Sequence, residues 1–177
     1  MSELKIDHSM ITNAINTGDA DLVKKMWKLH KIDINEECVY DAFKIHKVEL
    51  IKWLFEINPN IKFTKCILCE LAKSYNMSNR EFTISVLELL AKHKLIETPV
   101  KHECVFFKKV FEFDEPKYIS ILLENNVDFN SIIIYYVDFG DKYTSIFNYA
   151  LILKAKKCAN LILDHYMPQT QGETSQS

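Results

Sequence analysis

Glu49-Leu50-Ile51-Lys52-Trp53-Leu54-Phe55-Glu56-Ile57-Asn58-Pro59-Asn60-Ile61 reads as one amphipathic helix closed by a polar turn. Leu50, Ile51, Leu54 and Phe55 recur at helical spacing and share a face. Asn58-Pro59-Asn60 ends the helix, because proline has no N–H to give the ladder and restricts the residue before it. A helix this short cannot bury such a face alone and needs neighbours built the same way.

The flanking sequence supplies them. Upstream, Met10, Ile11, Ala14 and Ile15 make a first helical stripe. Gly18 breaks it, and Asp19 can cap a second helix carrying Leu22, Val23, Met26 and Trp27. Cys38–Ile45, with Ala42 at its centre, repeats the first helix, and Val48–Ile57 repeats the second. A third copy pairs Cys66–Tyr75 with a helix bearing Val86, Leu87, Leu89 and Leu90. Ser78 and Glu81 form a capping box between them. A fourth pairs His102–Phe111 with a helix N-capped by Asp114, with Pro116 in its first turn, where a missing N–H costs little. A fifth pairs Ser145–Lys154 with Ala155–Tyr166. Equivalent positions fall at Met26, Leu54, Leu89, Leu122 and Ile162, spaced by 28, 35, 33 and 40 residues, close to the ~33 of a helix–turn–helix repeat. Between copies four and five, Gly140 separates two β-prone runs, Ile132–Val137 and Tyr143–Phe147, which predicts a β-hairpin finger within 131–147.

Composition agrees with an all-α fold. The chain of 177 residues is 48% hydrophobic and 26% charged, and it contains only three Gly and four Pro, too few for a turn-rich all-β protein. A net charge of -2, from 22 basic and 24 acidic residues, without a dense basic run, argues against a nucleic-acid partner. No uncharged apolar run approaches the ~20 residues of a spanning helix, so no membrane partner is expected. Residues 1–10 lack the apolar run and basic flank of a secretory signal. With five Cys, an odd number, the expected setting is intracellular and reducing, with unbridged thiols.

The second helices, with the Gly18-Asp19 link and the central Ala14, Ala42 and Ala150, resemble those of ankyrin-repeat proteins. Tyr118-Ile119-Ser120-Ile121-Leu122-Leu123-Glu124-Asn125-Asn126-Val127-Asp128-Phe129-Asn130 is close to that family's second helix and turn. The family's Thr-Pro-Leu-His opening is absent from every copy; Thr144-Ser145-Ile146-Phe147 is the nearest relic. The glycine of the turn is replaced by Lys31, Asn60 or Asn126, and asparagine tolerates the left-handed conformation. The low glycine content and eroded repeats are similar in style to ankyrin-type proteins of large DNA viruses. The resemblance implies a short solenoid of four to five helix pairs over residues 9–166, between a flexible start at 1–8 and a disordered tail at 167–177. It implies a non-catalytic protein–protein interaction module without a cofactor, in the cytoplasm (the host's, if the protein is viral), where it would bind a signalling protein.

Contact residues are expected on the first helices and the finger: Tyr40, Lys44 and His46, with Tyr135, Tyr136 and Tyr143. The competing chemical reading is a zinc site from Cys66-x-x-Cys69 with His102 and Cys104. Against it, the CxxC pair sits in a helical pattern with no glycine knuckle, where cysteine acts as a small buried hydrophobe. Asp138-Phe139-Gly140 spells a kinase motif, but the rest of that set is missing.

Overall fold

In a computed structural model, residues 8–75, 77–96, 105–136 and 142–167 are described. The predicted end segments lie outside these apart from His8 and Met167, as do Phe139 and Gly140. The fold is all-α apart from one β-hairpin. The chain gathers into two compact units, Met1–Glu97 and Thr98–Ser177.

The first unit holds α1 (His8–Thr17), α2 (Ala20–His30), α3 (Glu36–Lys44), α4 (Val48–Ile57), α5 (Ile67–Ser74) and α6 (Arg80–Lys92). α1 packs on α2, and α3 on α4. Each first helix also lies along the next, α1 on α3 and α3 on α5, and α4 lies along α6. The apolar stripes account for this. Leu50, Ile51, Leu54 and Phe55 are fully buried, as are Val86, Leu87 and Leu90 on α6. Leu89, the position matched to Leu54 by sequence, is only half-buried; the buried frame of α6 lies one residue on, at Leu90. α2 departs further. Only Val23 of its stripe is buried, and Leu22 and Leu29 are 40% and 77% exposed. Trp27 meets Trp53 of α4 edge to face, with ring centroids 5.8 Å apart.

The second unit holds α7 (Val105–Glu112), α8 (Pro116–Glu124), β1 (Ile133–Tyr136), β2 (Lys142–Ser145), α9 (Ile146–Ile152) and α10 (Lys156–Tyr166). α10 packs on both α8 and α9. Phe111 of α7 meets Tyr149 of α9 at 6.0 Å. The strands pair antiparallel from Ile133↔Ser145 to Tyr136↔Lys142, the predicted finger, and both contact α9. Phe147, expected in the second strand, is helical. Ser145 ends the strand by capping α9, accepting from the Asn148 N–H at 3.2 Å.

The reversals share one device. Lys94, Asp114, Asn126 and Lys154, with φ of 54, 47, 59 and 60°, each stand one residue beyond a helix C-cap in the left-handed region. The N–H of each bonds back three residues, and the next N–H bonds back five, as Glu115 does to Val110 (3.0 Å) and Ala155 to Ala150 (2.9 Å). These are Schellman turns, normally closed by glycine. Gly18 (φ 74°) and His46 (φ 54°) occupy the equivalent link after α1 and α3. Asn60 is not left-handed, contrary to expectation. The turn after α4 is held instead by Asn58, whose Nδ2 donates to the Ile34 carbonyl at 2.8 Å in the preceding turn.

Two predicted caps are reassigned. α6 starts after Asn79, one residue too late for a Ser78–Glu81 box. Asp114 does not cap α8, whose N-cap is Glu115 with Pro116 at the first position. Its carboxylate reaches α10 and accepts from the Cys158 N–H at 3.0 Å and the Lys157 N–H at 3.2 Å. Partial burial raises its pKa, but those N–H bonds together outweigh burial and hold it below the ordinary carboxylate value.

Substitutions at the links should have opposite signs. Gly18→Ala should destabilise by about 1 kcal/mol, and Lys154→Gly should stabilise by up to about 1 kcal/mol, because only glycine is unstrained there; urea midpoints check both. Leu54→Ala should cost about 2–5 kcal/mol, whereas Leu29→Ala should stay within about 0.5 kcal/mol. Asp114→Asn keeps the turn and an acceptor but removes the charge. Because the folded-state pKa is depressed, the charge contributes fully above the unfolded value and its contribution is lost as pH falls through the folded one. The deficit of the variant, about 1 kcal/mol at neutral pH, should therefore shrink below about pH 4. A gap that stays constant across that range would show that the charge does not cap α10.

Candidate functional site

α3 and α5 lie side by side, and between them opens a depression of about 340 Å³. Lys44 of α3 and Lys73 of α5 line it, with Glu70, while Asp41 lies outside the lining and holds Lys44. Asp41 and Lys44 of α3 form an i,i+3 ion pair at 2.6 Å, and Glu70 and Lys73 of α5 form the same pair at 2.7 Å. The acidic side chains sit at the foot of each pair, 8% and 16% exposed, while the lysine side chains are 68% and 69% exposed. The bond to Asp41, stronger than the opposing effect of desolvation, raises the Lys44 pKa and keeps it charged.

Tyr40 and Phe43 form the apolar floor; they are 4% and 1% exposed. Tyr40 was expected at the surface. It is instead buried in that floor, where its hydroxyl donates to Glu36 Oε2 at 2.8 Å. Burial, and then that bond to Glu36, push its pKa upward. Glu36 also accepts from the Thr64 N–H at 2.6 Å and the Thr64 hydroxyl at 2.5 Å, a link between successive pairs. The Thr64 hydroxyl is the main reason the Glu36 pKa is lowered.

His46 closes the far end. Its left-handed backbone turns the ring toward the end of α5, with Nε2 3.3 Å from the Ser74 carbonyl and 2.8 Å from Asn79 Nδ2. Asn79 Nδ2 also donates to the Ser74 carbonyl. The ring lies edge-on to Phe82 at 4.8 Å. Three of the six predicted contact residues, Tyr40, Lys44 and His46, therefore line one depression. Glu70, Lys73 and Ser74 were missed. The signal was available: Glu70-x-x-Lys73 repeats Asp41-x-x-Lys44 at a spacing of 29.

The other three predicted residues belong to the second unit. Tyr143 is 70% exposed and pairs in register with Tyr135 across the hairpin, next to Tyr136↔Lys142. A second depression, of about 400 Å³, lies at the base of that hairpin between Phe129, Ile146, Phe147, Leu163, Tyr166 and Met167. The Tyr166 hydroxyl accepts from the Phe129 N–H at 2.8 Å.

The cysteines are dispersed. Cys66 is the N-cap of α5 and Cys69 lies within it, both half-buried, while His102 and Cys104 fall outside the described residues. Among the described residues, no three His, Cys, Asp or Glu side chains gather as a metal site would require. Cys38 and Cys158 are buried. Burial first, then contact with Asp114, pushes the Cys158 thiol up to about 12, far from the range of a reactive thiolate. No helix among the described residues is long and apolar enough to cross a membrane. No protein-family model, no curated protein and no solved structure matches this chain.

Proposed function

We propose that this chain is a non-catalytic protein-binding module built of ankyrin-like helix pairs, and that it holds its partner in the depression between α3 and α5. One observation carries the reading: α3 and α5 each bring a lysine, Lys44 and Lys73, to one depression floored by Tyr40 and Phe43, and each lysine is held by a carboxylate three residues before it. In a stacked array the first helices carry the variable surface while the second helices supply continuous core. The packing of α3 on both α1 and α5, and of α4 on α6, supports that division. Tyr143 of the hairpin, largely exposed, is a further candidate contact together with Tyr135 and Tyr136.

The chemistry favours an acidic partner surface with an apolar residue at its centre. The carboxylates of both pairs are sunk and the ammonium groups project, so an approaching protein meets Lys44 and Lys73 first. Tyr40 and Phe43 are already packed by the fold, and a floor that does not have to rearrange lowers the ordering cost of binding.

A photo-crosslinking side chain in place of Lys44 or Lys73 tests this in cells, with the same group in place of Lys92 as the control. The expected result is one discrete protein adduct from positions 44 and 73, not formed from 92. Lys44→Glu/Lys73→Glu should weaken that adduct's partner at least tenfold in a purified binding assay, without changing the helical circular dichroism. No adduct, or the same adducts from all three positions, would sink the proposal.

A further inference from the structure

The last helix pair carries several exposed apolar side chains among polar ones. Leu151 and Ile152 of α9 are 52% and 38% exposed, and Leu163 and Tyr166 of α10, with Met167 beyond it, are 37%, 37% and 62% exposed. Half of the large exposed hydrophobic side chains of the described residues thus fall within one stretch of 17. The corresponding surface of an inner pair is covered: Phe43 of α3 stands where Leu151 stands in α9, two or three residues before the left-handed link, and is 1% exposed beside α5.

The distribution along the pair indicates what covers it. Leu151 and Ile152 lie at the end of α9, next to the start of α10, to which a Schellman turn joins it. Leu163, Tyr166 and Met167 lie at the opposite end of α10. The charges on α10 are divided in the same way. Lys156 and Lys157 open the helix and Asp164 lies near its close, and all three are exposed. Lys157 and Asp164 are seven residues apart, two turns, and so share a side. This side flanks the stripe formed by Lys156, Asn160, Leu163 and Met167.

Such a surface complements itself when turned about a two-fold axis through the middle of α10. We infer that α9 and α10 form an isologous interface with a second copy of this chain, with α10 antiparallel to its counterpart. Leu163 and Met167 of one copy then cover Leu151 and Ile152 of the other. Lys157 of each copy meets Asp164 of the other, so the ion pair is made twice. Lys156 of each meets the negative end of the facing helix. A partner unrelated to this chain would not require apolar and charged groups to be balanced about the centre of one helix. The inference is independent of what the α3–α5 depression binds.

Sedimentation equilibrium of the full chain over a range of concentrations tests it, with circular dichroism as the check on folding. The wild type should associate reversibly to a dimer. Leu151→Asp/Met167→Asp, at two exposed positions, should remain helical and become monomeric. Lys157→Glu and Asp164→Lys should each weaken the dimer about tenfold, and the double variant Lys157→Glu/Asp164→Lys should restore it, because reversing both charges recreates the pair. The inference fails if the chain is monomeric up to its solubility limit, if the apolar variant still dimerises, or if the double charge reversal is no better than the singles.

Discussion

A helix of seven to eleven residues has little stability of its own, and nine of the ten α-helices among the described residues are that short. What makes them useful is the sharp reversal between them. At Gly18, His46, Asp114 and Lys154 a single residue with positive φ turns the chain so that a second helix folds back along the first. The two stripes then face the same way, and neither is fully covered by the other. The next pair completes the burial, which is why Leu50, Ile51, Leu54 and Phe55 on α4 reach zero exposure with α3 on one side and α6 on another. Three of these four links close on a residue other than glycine. The strain of a left-handed His, Asp or Lys is then carried by packing on both sides of the turn, and this ties the local backbone to the presence of neighbours.

The bonds between pairs follow no single pattern. Glu36 holds Thr64 at the openings of the second and third pairs. Asn58 bonds the Ile34 carbonyl between the turns. Asp114 bonds the N-terminal amides of α10. Each satisfies a group that a helix end or turn leaves unpaired, and each uses a different residue in a different place. Adjacent helix pairs are thus bonded to one another without a recurring sequence motif.

This also explains what could be read in the sequence. The helices were legible, and Val48–Ile57 falls where its stripe and Pro59 place it, because period and punctuation are local properties. So was the hairpin, from its two β-prone runs. The capping role of Asp114 was not legible. Asp followed by Glu-Pro is a good local cap, and nothing nearby in sequence reveals that amides 43 and 44 residues away compete for the same carboxylate. Leu22 was misjudged for a related reason: a stripe indicates which face is apolar, not whether a neighbour covers it. Tyr40 looked like a contact residue because its partners, Glu36 four residues before and Phe63 in the next pair, become neighbours only on folding. The depression was half legible. Tyr40, Lys44 and His46 were named from one helix and the link after it, whereas Glu70 and Lys73 needed the two acid–lysine pairs to be aligned.

The place of the depression has its own cause. Every first helix in the described residues except α5 is followed by a left-handed link residue. After α5 the chain passes through Tyr75, which is extended, to a 3-10 turn at Met77–Asn79 before α6 begins. Without a tight reversal, the end of α5 has to satisfy its carbonyls by other means. Asn79 supplies one donor to Ser74, and His46 brings its ring alongside from the preceding link. His46 can do so because its own backbone is left-handed and points the side chain along the array. The irregular link and the strained histidine therefore belong to one arrangement. Together they border the concave surface beside Lys44 and Lys73.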